Sequence, residues 1–172
     1  MVSIRCATER DAVAISHVHV DSWRTTYAGI VPQQYLATLN ETERVPLWQE
    51  WLTRDIHVYI AELDGKAVGF ISGGPIREPL QSYDAELFAI YLLQHAQRQG
   101  IGSALLRELA TSLMSKGFTS MAVWVLERNP SKYFYVKSGA QLITSKEIEI
   151  GAATLSEVVY GWPAFEAIRS PK

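Results

Sequence analysis

The feature that most constrains the fold is a glycine turn, Gln97-Arg98-Gln99-Gly100-Ile101-Gly102-Ser103, which lies between an apolar run and an amphipathic segment. The run from Leu87 to Leu93 is apolar on both faces, which is typical of an interior strand. After the turn, leucines recur at helical spacing at positions 105, 106, 109 and 113. A helix that begins at such a turn has unpaired first-turn N–H groups, and its dipole favours negative charge there. The turn therefore predicts an anion-binding site at a helix start.

The hydrophobic pattern of the remaining chain predicts an α+β domain. Asp64-Gly65 between two alternating runs indicates a β-hairpin. Gly73 to Pro79 is interpreted as a loop because it is rich in glycine and proline. The other expected elements, in chain order, are a strand Val2–Ala7, a helix from the capping-box-like Thr8–Asp11 through Trp23, an aromatic-rich helical region interrupted by Pro32 and Pro46, a strand Met121–Leu126, a short helix with Pro130 at its first position and ending at Gly139, and an antiparallel pair Gln141–Ile150 and Thr154–Trp162. This order predicts a mixed, largely antiparallel central sheet with helices on both faces.

Length and composition favour one domain over residues 1–172. The chain has 172 residues and 48% hydrophobic residues, enough for a substantial core. Its formal net charge of −2 argues against nucleic-acid binding, which usually needs a basic face. The single cysteine, Cys6, excludes an internal disulfide, and its place in a short strand predicts a buried, inert thiol. Edge strands near the C-terminus would allow a homodimer.

Neither a membrane nor a metal is expected. The N-terminus lacks a signal-peptide pattern and no apolar stretch approaches 18 residues, so we expect a cytoplasmic protein. His17 and His19 are two residues apart on a predicted helix and face different directions, unlike a metal-binding pair at i and i+4. No metal site is predicted.

Three groups of residues near the turn have chemical potential, and each also has a purely structural interpretation. Glu86 begins the interior strand: beside apolar surface a carboxylate becomes a stronger base, whereas at a solvated strand end it has no such role. Asn129 suits a helix cap, and Tyr133, Phe134 and Tyr135 suit core packing, although a tyrosine hydroxyl beside a cleft can donate a proton to a leaving group. The third group, Trp23, Tyr27 and Phe88, could hold a cation against ring faces or simply pack in the core.

Together these segments resemble the GNAT superfamily of acyl-CoA-dependent N-acetyltransferases. The most specific part is Gln-x-x-Gly-x-Gly at Gln97, Gly100 and Gly102, preceded by the strand Glu86–Leu92. The resemblance extends from Ile4-Arg5 to Trp162, and the predicted element order agrees with the fold of that family.

The resemblance implies a role for each motif. Arg98 through Ser103 would hold the pyrophosphate of coenzyme A, and backbone groups of Ile90, Tyr91 and Leu92 would pair with the pantetheine arm as an added strand would. Asn129 would lie near the pantetheine. Glu86 would act as general base and Tyr135 as general acid; Tyr135 follows Asn129 by six residues where seven is more usual, which leaves Tyr133 as the alternative.

The implied reaction is direct transfer of the acetyl group of acetyl-CoA to a primary amine of a small molecule or peptide. Since no covalent enzyme intermediate is needed, a catalytic Cys–His pair is not required. The alternative is a regulatory acyl-CoA-binding domain that keeps the glycine turn but does not catalyse transfer. A P-loop nucleotide binder is excluded, because the chain lacks Gly-x-x-x-x-Gly-Lys-Ser/Thr.

Overall fold

A computed structural model describes residues 1–168 and shows a single seven-stranded sheet with helices on both faces. The strands are β1 (Val2–Cys6), β2 (His57–Leu63), β3 (Lys66–Leu80), β4 (Tyr83–Leu92), β5 (Met121–Leu126), β6 (Gln141–Ile150) and β7 (Ala153–Trp162). The α-helices are α1 (Ala12–Thr26), α2 (Gln33–Thr38), α3 (Glu41–Leu52), α4 (Ile101–Ser115) and α5 (Lys132–Lys137). Short 3₁₀ turns lie at Glu9–Asp11, Gln94–Ala96 and Phe165–Ala167.

The sheet order is β1-β2-β3-β4-β5-β7-β6, and every pairing is antiparallel except β4 with β5. This arrangement confirms the predicted α+β class. The Asp64-Gly65 hairpin is also confirmed, because both residues have positive φ, as a tight two-residue turn between β2 and β3 requires. Arg5 of β1 donates hydrogen bonds to Asp11 and to Glu62, which lies beside this hairpin. The hydrogen bond from Arg5 lowers the pKa of Asp11 to about 2.

Helices α1 and α3 pack on one face of the sheet and α4 on the other. The leucine stripe predicted for α4 lies in the core, where Leu105, Leu109 and Leu113 are fully buried. The helix ends at Ser115, and Gly117 just beyond it has a φ of +90°, as is common for a glycine after a helix C-terminus. A third apolar cluster joins the end of α1 and α2 to the β6–β7 hairpin. No helix within residues 1–168 has both the length and the apolarity needed to cross a membrane.

Several local predictions were wrong. Gly73 to Pro79 is not a loop but the continuation of β3, in which Gly73 pairs with Leu87 and Pro75 with Ala85. The glycines are needed because strand and helix atoms approach closely: a Cβ on Gly73 would lie 2.8 Å from the Glu86 carbonyl oxygen and 2.9 Å from a Leu109 methyl. Close packing, not turn formation, explains this composition.

Three further corrections concern single residues. Cys6 is exposed, because β1 is an edge strand with only one intermediate position in its burial pattern. Pro46 does not interrupt a helix but lies inside α3, which runs unbroken around it. Pro130 precedes α5, which begins at Lys132, so it is not the first helical residue. Local residue propensities did not predict the exposure of Cys6 or the positions of Pro46 and Pro130 relative to the helices.

Candidate functional site

The site is formed where β4 and β5 separate. These neighbouring strands pair in parallel over only Ala85, Glu86 and Leu87, opposite Met121, Ala122 and Val123. On the other side, β4 remains paired with β3 as far as Leu92. The edge of β4 that faces β5 therefore has no partner strand beyond Leu87 among residues 1–168.

A bulge at Phe88 marks the point of separation. Ser72 of β3 pairs with Ala89 and Gly73 pairs with Leu87, which leaves Phe88 as an extra residue on β4. A bulge shifts the alternation of side chains by one. Accordingly Leu87 packs in the α4 core, and after the bulge Ile90 and Leu92 contact that core while Ala89 faces α1 and α3. The bulge thus turns β4 away from β5 where a ligand would enter.

The separation opens a cleft of about 650 Å³ that runs from the glycine turn to Tyr135. One wall is β4 from Leu87 to Leu92, and the opposite wall is Val123, Trp124 and Val125 of β5. Asn129, α5 and the start of α4 also line the cleft, and Phe134 of α5 lies close to the start of α4, since a Cβ on Gly102 would be 3.6 Å from its ring. Many of the residues that the sequence assigned to a cofactor line this cleft, namely Ile90, Tyr91, Leu92, Gln97, Arg98, Gly100, Gly102, Ser103 and Asn129.

The glycine turn has the backbone geometry of an anion site. Gly100 caps α4 with φ +79°, and the preceding Arg98 also has positive φ, at 60°. Gln97 donates from Nε2 to the Leu92 carbonyl at 3.1 Å, which fixes the turn to the end of β4. Two residues of the motif do not line the cleft: the side chain of Gln99 bonds the His95 carbonyl, and that of Ile101 is buried in the core.

Tyrosine hydroxyls converge beside the cleft. Tyr27 at the end of α1 bonds Tyr91 of β4, hydroxyl to hydroxyl, at 3.3 Å, and Asn129 Nδ2 donates to the Tyr27 hydroxyl at 3.5 Å. Asn129 also accepts from the Ser131 amide at 2.9 Å, but the N-cap of α5 is Ser131, so Asn129 is not the helix cap that the sequence suggested. Burial raises the pKa of both Tyr27 and Tyr91 above its ordinary value. These hydroxyls remain protonated and available as donors.

The two candidate acids differ in burial. Tyr135 is 5% exposed, packs edge-on against Trp162 and lines the cleft. Burial raises the pKa of its hydroxyl, so it stays protonated throughout the physiological range. Tyr133 also lines the cleft but is 61% exposed, with Lys132 over its ring. The two side chains therefore differ in exposure, although both line the cleft.

Glu86 is fully buried in an ion pair and is not a solvated strand end. Its Oε1 accepts from Arg77 Nη2 at 2.5 Å, and its Oε2 accepts from the Arg77 Nε and backbone N–H at 3.2 and 3.1 Å. The Arg77 guanidinium also lies 4.6 Å from the Phe88 ring centroid, and the ion pair raises the pKa of Arg77. The Arg77 guanidinium thus occupies the ring face of Phe88 that the sequence had suggested for a ligand cation.

Glu86 opens onto a second, smaller pocket of about 240 Å³. Trp124 lines both this pocket and the cleft, so the two cavities are adjacent at this residue. Trp23, proposed with Tyr27 and Phe88 as a pocket residue, lies behind the cleft wall and packs on Tyr27 at 4.5 Å between ring centroids. Among the charged and aromatic lining residues, sequence reasoning assigned no role to Arg77, Glu78, Trp124, Lys137, Lys146 and Glu157. Only strand alternation around Trp124 and Glu157 could have drawn attention to two of them.

The comparison with known families decides which family this site belongs to. The sequence model described as Acetyltransferase (GNAT) family matches residues 19–140, which include the cleft, the glycine turn and Tyr135. The chain belongs to the GNAT acetyltransferase family. The predicted resemblance is confirmed, and the chain is an acyltransferase of the N-acetyltransferase type.

Individual members of the GNAT family agree in sequence and fold. The uncharacterized N-acetyltransferase YuaI of Bacillus subtilis is 44% identical over 172 residues, covering 99% of this chain and 98% of YuaI. A spermidine N(1)-acetyltransferase of Thermoplasma acidophilum is 28% identical, covering 80% of this chain and 87% of the relative. The crystal structure of a PaiA N-acetyltransferase from the same organism, in complex with coenzyme A, superposes with a TM-score of 0.70 at 24% identity, covering 91% and 98% of the two chains.

Proposed function

We propose that this GNAT protein transfers the acetyl group of acetyl-CoA directly to a primary amine of a small molecule or peptide. The observation that carries the proposal is the cleft itself, where a free strand edge leads to the N-terminus of a 15-residue helix. A strand edge can pair with an extended amide-containing arm, and a helix N-terminus binds phosphate. Coenzyme A combines both chemical features in one molecule.

The residues present fit acetyl-CoA, which supplies an activated acyl group as its thioester. The backbone of Ile90, Tyr91 and Leu92 offers the hydrogen-bonding edge for the pantetheine arm. The first-turn amides around Gly102 and Ser103 suit the pyrophosphate, since Gly100 leaves the space around its own Cα open. Arg98 and Lys137 also line the cleft and add positive charge for phosphate groups.

Glu86 and Tyr135 are proposed as general base and general acid. A lysine-like amine has a pKa of about 10.4, so forming its neutral, nucleophilic state near pH 7 costs about 4–5 kcal/mol. Glu86, which is bonded to Arg77 and lines the pocket beside the cleft, can receive that proton directly or through water. Tyr135, protonated and buried at the cleft, can return a proton to the departing thiolate.

The acceptor is proposed to be a small amine by analogy with the spermidine-acetylating relative. The test is a thiol-release assay with acetyl-CoA against polyamines, amino acids, aminoglycosides and N-terminal peptides, with mass spectrometry of the products. We expect acetyl-CoA-dependent thiol release with at least one amine, and a product heavier by one acetyl group. Tight coenzyme A binding without turnover on any amine would instead support the catalytically silent regulatory domain.

A further inference from the structure

The smaller pocket beside Trp124 already contains an ammonium group that belongs to the chain. Lys146 Nζ lies 4.0 Å from the centroid of the Trp124 ring and 3.5 Å from Glu78 Oε2. An aromatic face together with a carboxylate is the combination that recognises organic ammonium ions in proteins. Because Trp124 also lines the cleft, a ligand in this position would be next to the proposed transfer site.

The contact of Lys146 is one that a ligand can displace. The side chains of Lys146 and Glu78 are 40% and 71% exposed. Exposed ion pairs of this kind contribute little net stability, since water screens them and two long side chains must be ordered. The ring face of Trp124 is therefore available to a competing cation.

The remaining charges of the pocket favour a cation. Arg77 is committed to Glu86 through three hydrogen bonds. Glu157 of β7 lies opposite Lys146 in the β6–β7 register, and its side chain makes no hydrogen bond or ion pair within residues 1–168. Burial, together with the negative charges of Glu86 and Glu78, raises the pKa of Glu157, and Lys146 and Arg77 oppose that effect. Displacement of Lys146 would leave Glu78 and Glu157 without a counter-ion.

We propose that this pocket binds an ammonium group of the acceptor, over the Trp124 ring and beside Glu157, and that Lys146 is an intramolecular competitor for that position. The inference rests on the proposed function and narrows its substrate class. It selects aliphatic amines that carry positive charge without a nearby carboxylate, since three glutamates line the same pocket. Glu157 and Trp124 are specificity residues, distinct from the proposed base and acid.

The kinetic test compares two probes of similar length, 1,5-diaminopentane and 5-aminopentanoate, in the thiol-release assay. Lys146→Met removes the competing charge and keeps an unbranched side chain, so we expect KM for the diamine to fall about three- to tenfold with little change in kcat. Glu157→Gln should raise the same KM by a similar factor. Lys66→Met, at an exposed lysine of the β2–β3 hairpin, is the matched control and should change nothing.

A binding measurement separates this inference from the proposed function. Calorimetry of the diamine with the coenzyme A complex does not require turnover, and it should show tighter binding to Lys146→Met and weaker binding to Trp124→Leu. If no amine is acetylated but this pattern holds, the proposed function fails and the ammonium site stands. Weaker binding of the diamine to Lys146→Met would overturn the inference. So would a wild-type preference for 5-aminopentanoate that Lys146→Met abolishes, because Lys146 would then bind an anionic acceptor.

Discussion

The two cavities that meet at Trp124 are built from different parts of the polypeptide. The cleft is defined largely by main chain: an unpaired edge of β4, a bulge and the start of α4. The smaller pocket is defined by side chains, contributed by five strands from β3 to β7. Most substitutions along the walls of a main-chain site leave its hydrogen-bonding groups unchanged, whereas each substitution in a side-chain site changes the groups that a ligand contacts. This difference suits an acyl donor that stays the same and an acceptor amine that varies.

The largest effect should come from breaking the main-chain site. Gly100→Glu places a charged side chain at φ +79°, where the phosphate is proposed to bind, and we expect coenzyme A affinity to fall on the order of a hundredfold or more by calorimetry. Gly117→Glu is the control, since Gly117 has φ +90° and equally open surroundings at the other end of α4. Equal loss of affinity in both variants would contradict the phosphate assignment.

The next effect should come from the pocket and leave the cleft intact. Glu86→Gln keeps a hydrogen-bond acceptor for Arg77 but cannot take a proton, so we expect kcat/KM near pH 7 to fall about a hundredfold with unchanged coenzyme A affinity. The loss should shrink as the pH rises towards the acceptor's pKa, because more of the amine is then already neutral. A pH-independent activity equal to wild type would remove Glu86 as the base.

A smaller effect is expected within the cleft, which Tyr135 lines. Tyr135→Phe should lower kcat about ten- to a hundredfold while coenzyme A affinity stays within a factor of two. Tyr133→Phe, at the exposed alternative, should leave kcat unchanged. Steady-state kinetics on both variants, with melting temperatures to monitor folding, decide between them. The reverse ranking would assign the acid to Tyr133.

The smallest effect on activity is expected from the support beneath the cleft wall, where the predicted change is in stability. His19 stacks on Tyr91 and accepts a hydrogen bond from Trp48 Nε1, and burial lowers its pKa from 6.5 to about 3. At a pH between these two pKa values, His19 is protonated in the unfolded chain and neutral in the folded chain. The contribution of His19 to the free energy of unfolding is therefore fully present above about pH 6.5. It decreases as the pH falls below that value, by at most about 1.4 kcal/mol per pH unit.

Denaturant unfolding from pH 7 to pH 4.5 measures this slope. His19→Gln, which keeps an acceptor for Trp48, should flatten the pH dependence of the free energy of unfolding. His17→Gln, at an exposed residue two positions away that contacts Glu41, should not. An unchanged slope in His19→Gln would show that His19 does not stay neutral in the folded protein.

The same contrast explains what could be predicted from the sequence. Glycines 100 and 102, the apolar strand before them and the leucine stripe after them are local signals, and they predicted β4 and α4 correctly. The pocket depends on register: Glu157 meets Lys146 only because β6 and β7 pair as they do, and Arg77 reaches Glu86 only because β3 continues through a segment that resembled a loop. No local pattern encodes such long-range pairing.

The separation of β4 from β5 has a consequence for amide exchange with solvent. On a strand paired along one edge only, alternate N–H groups are bonded and the others point to the open side. From Phe88 to Leu92 the amides directed at β3 should exchange slowly and those directed at the cleft quickly, a period-two pattern within a central strand. A ligand that pairs with the open edge would slow the second set alone, so each amide would report whether the missing strand has been supplied.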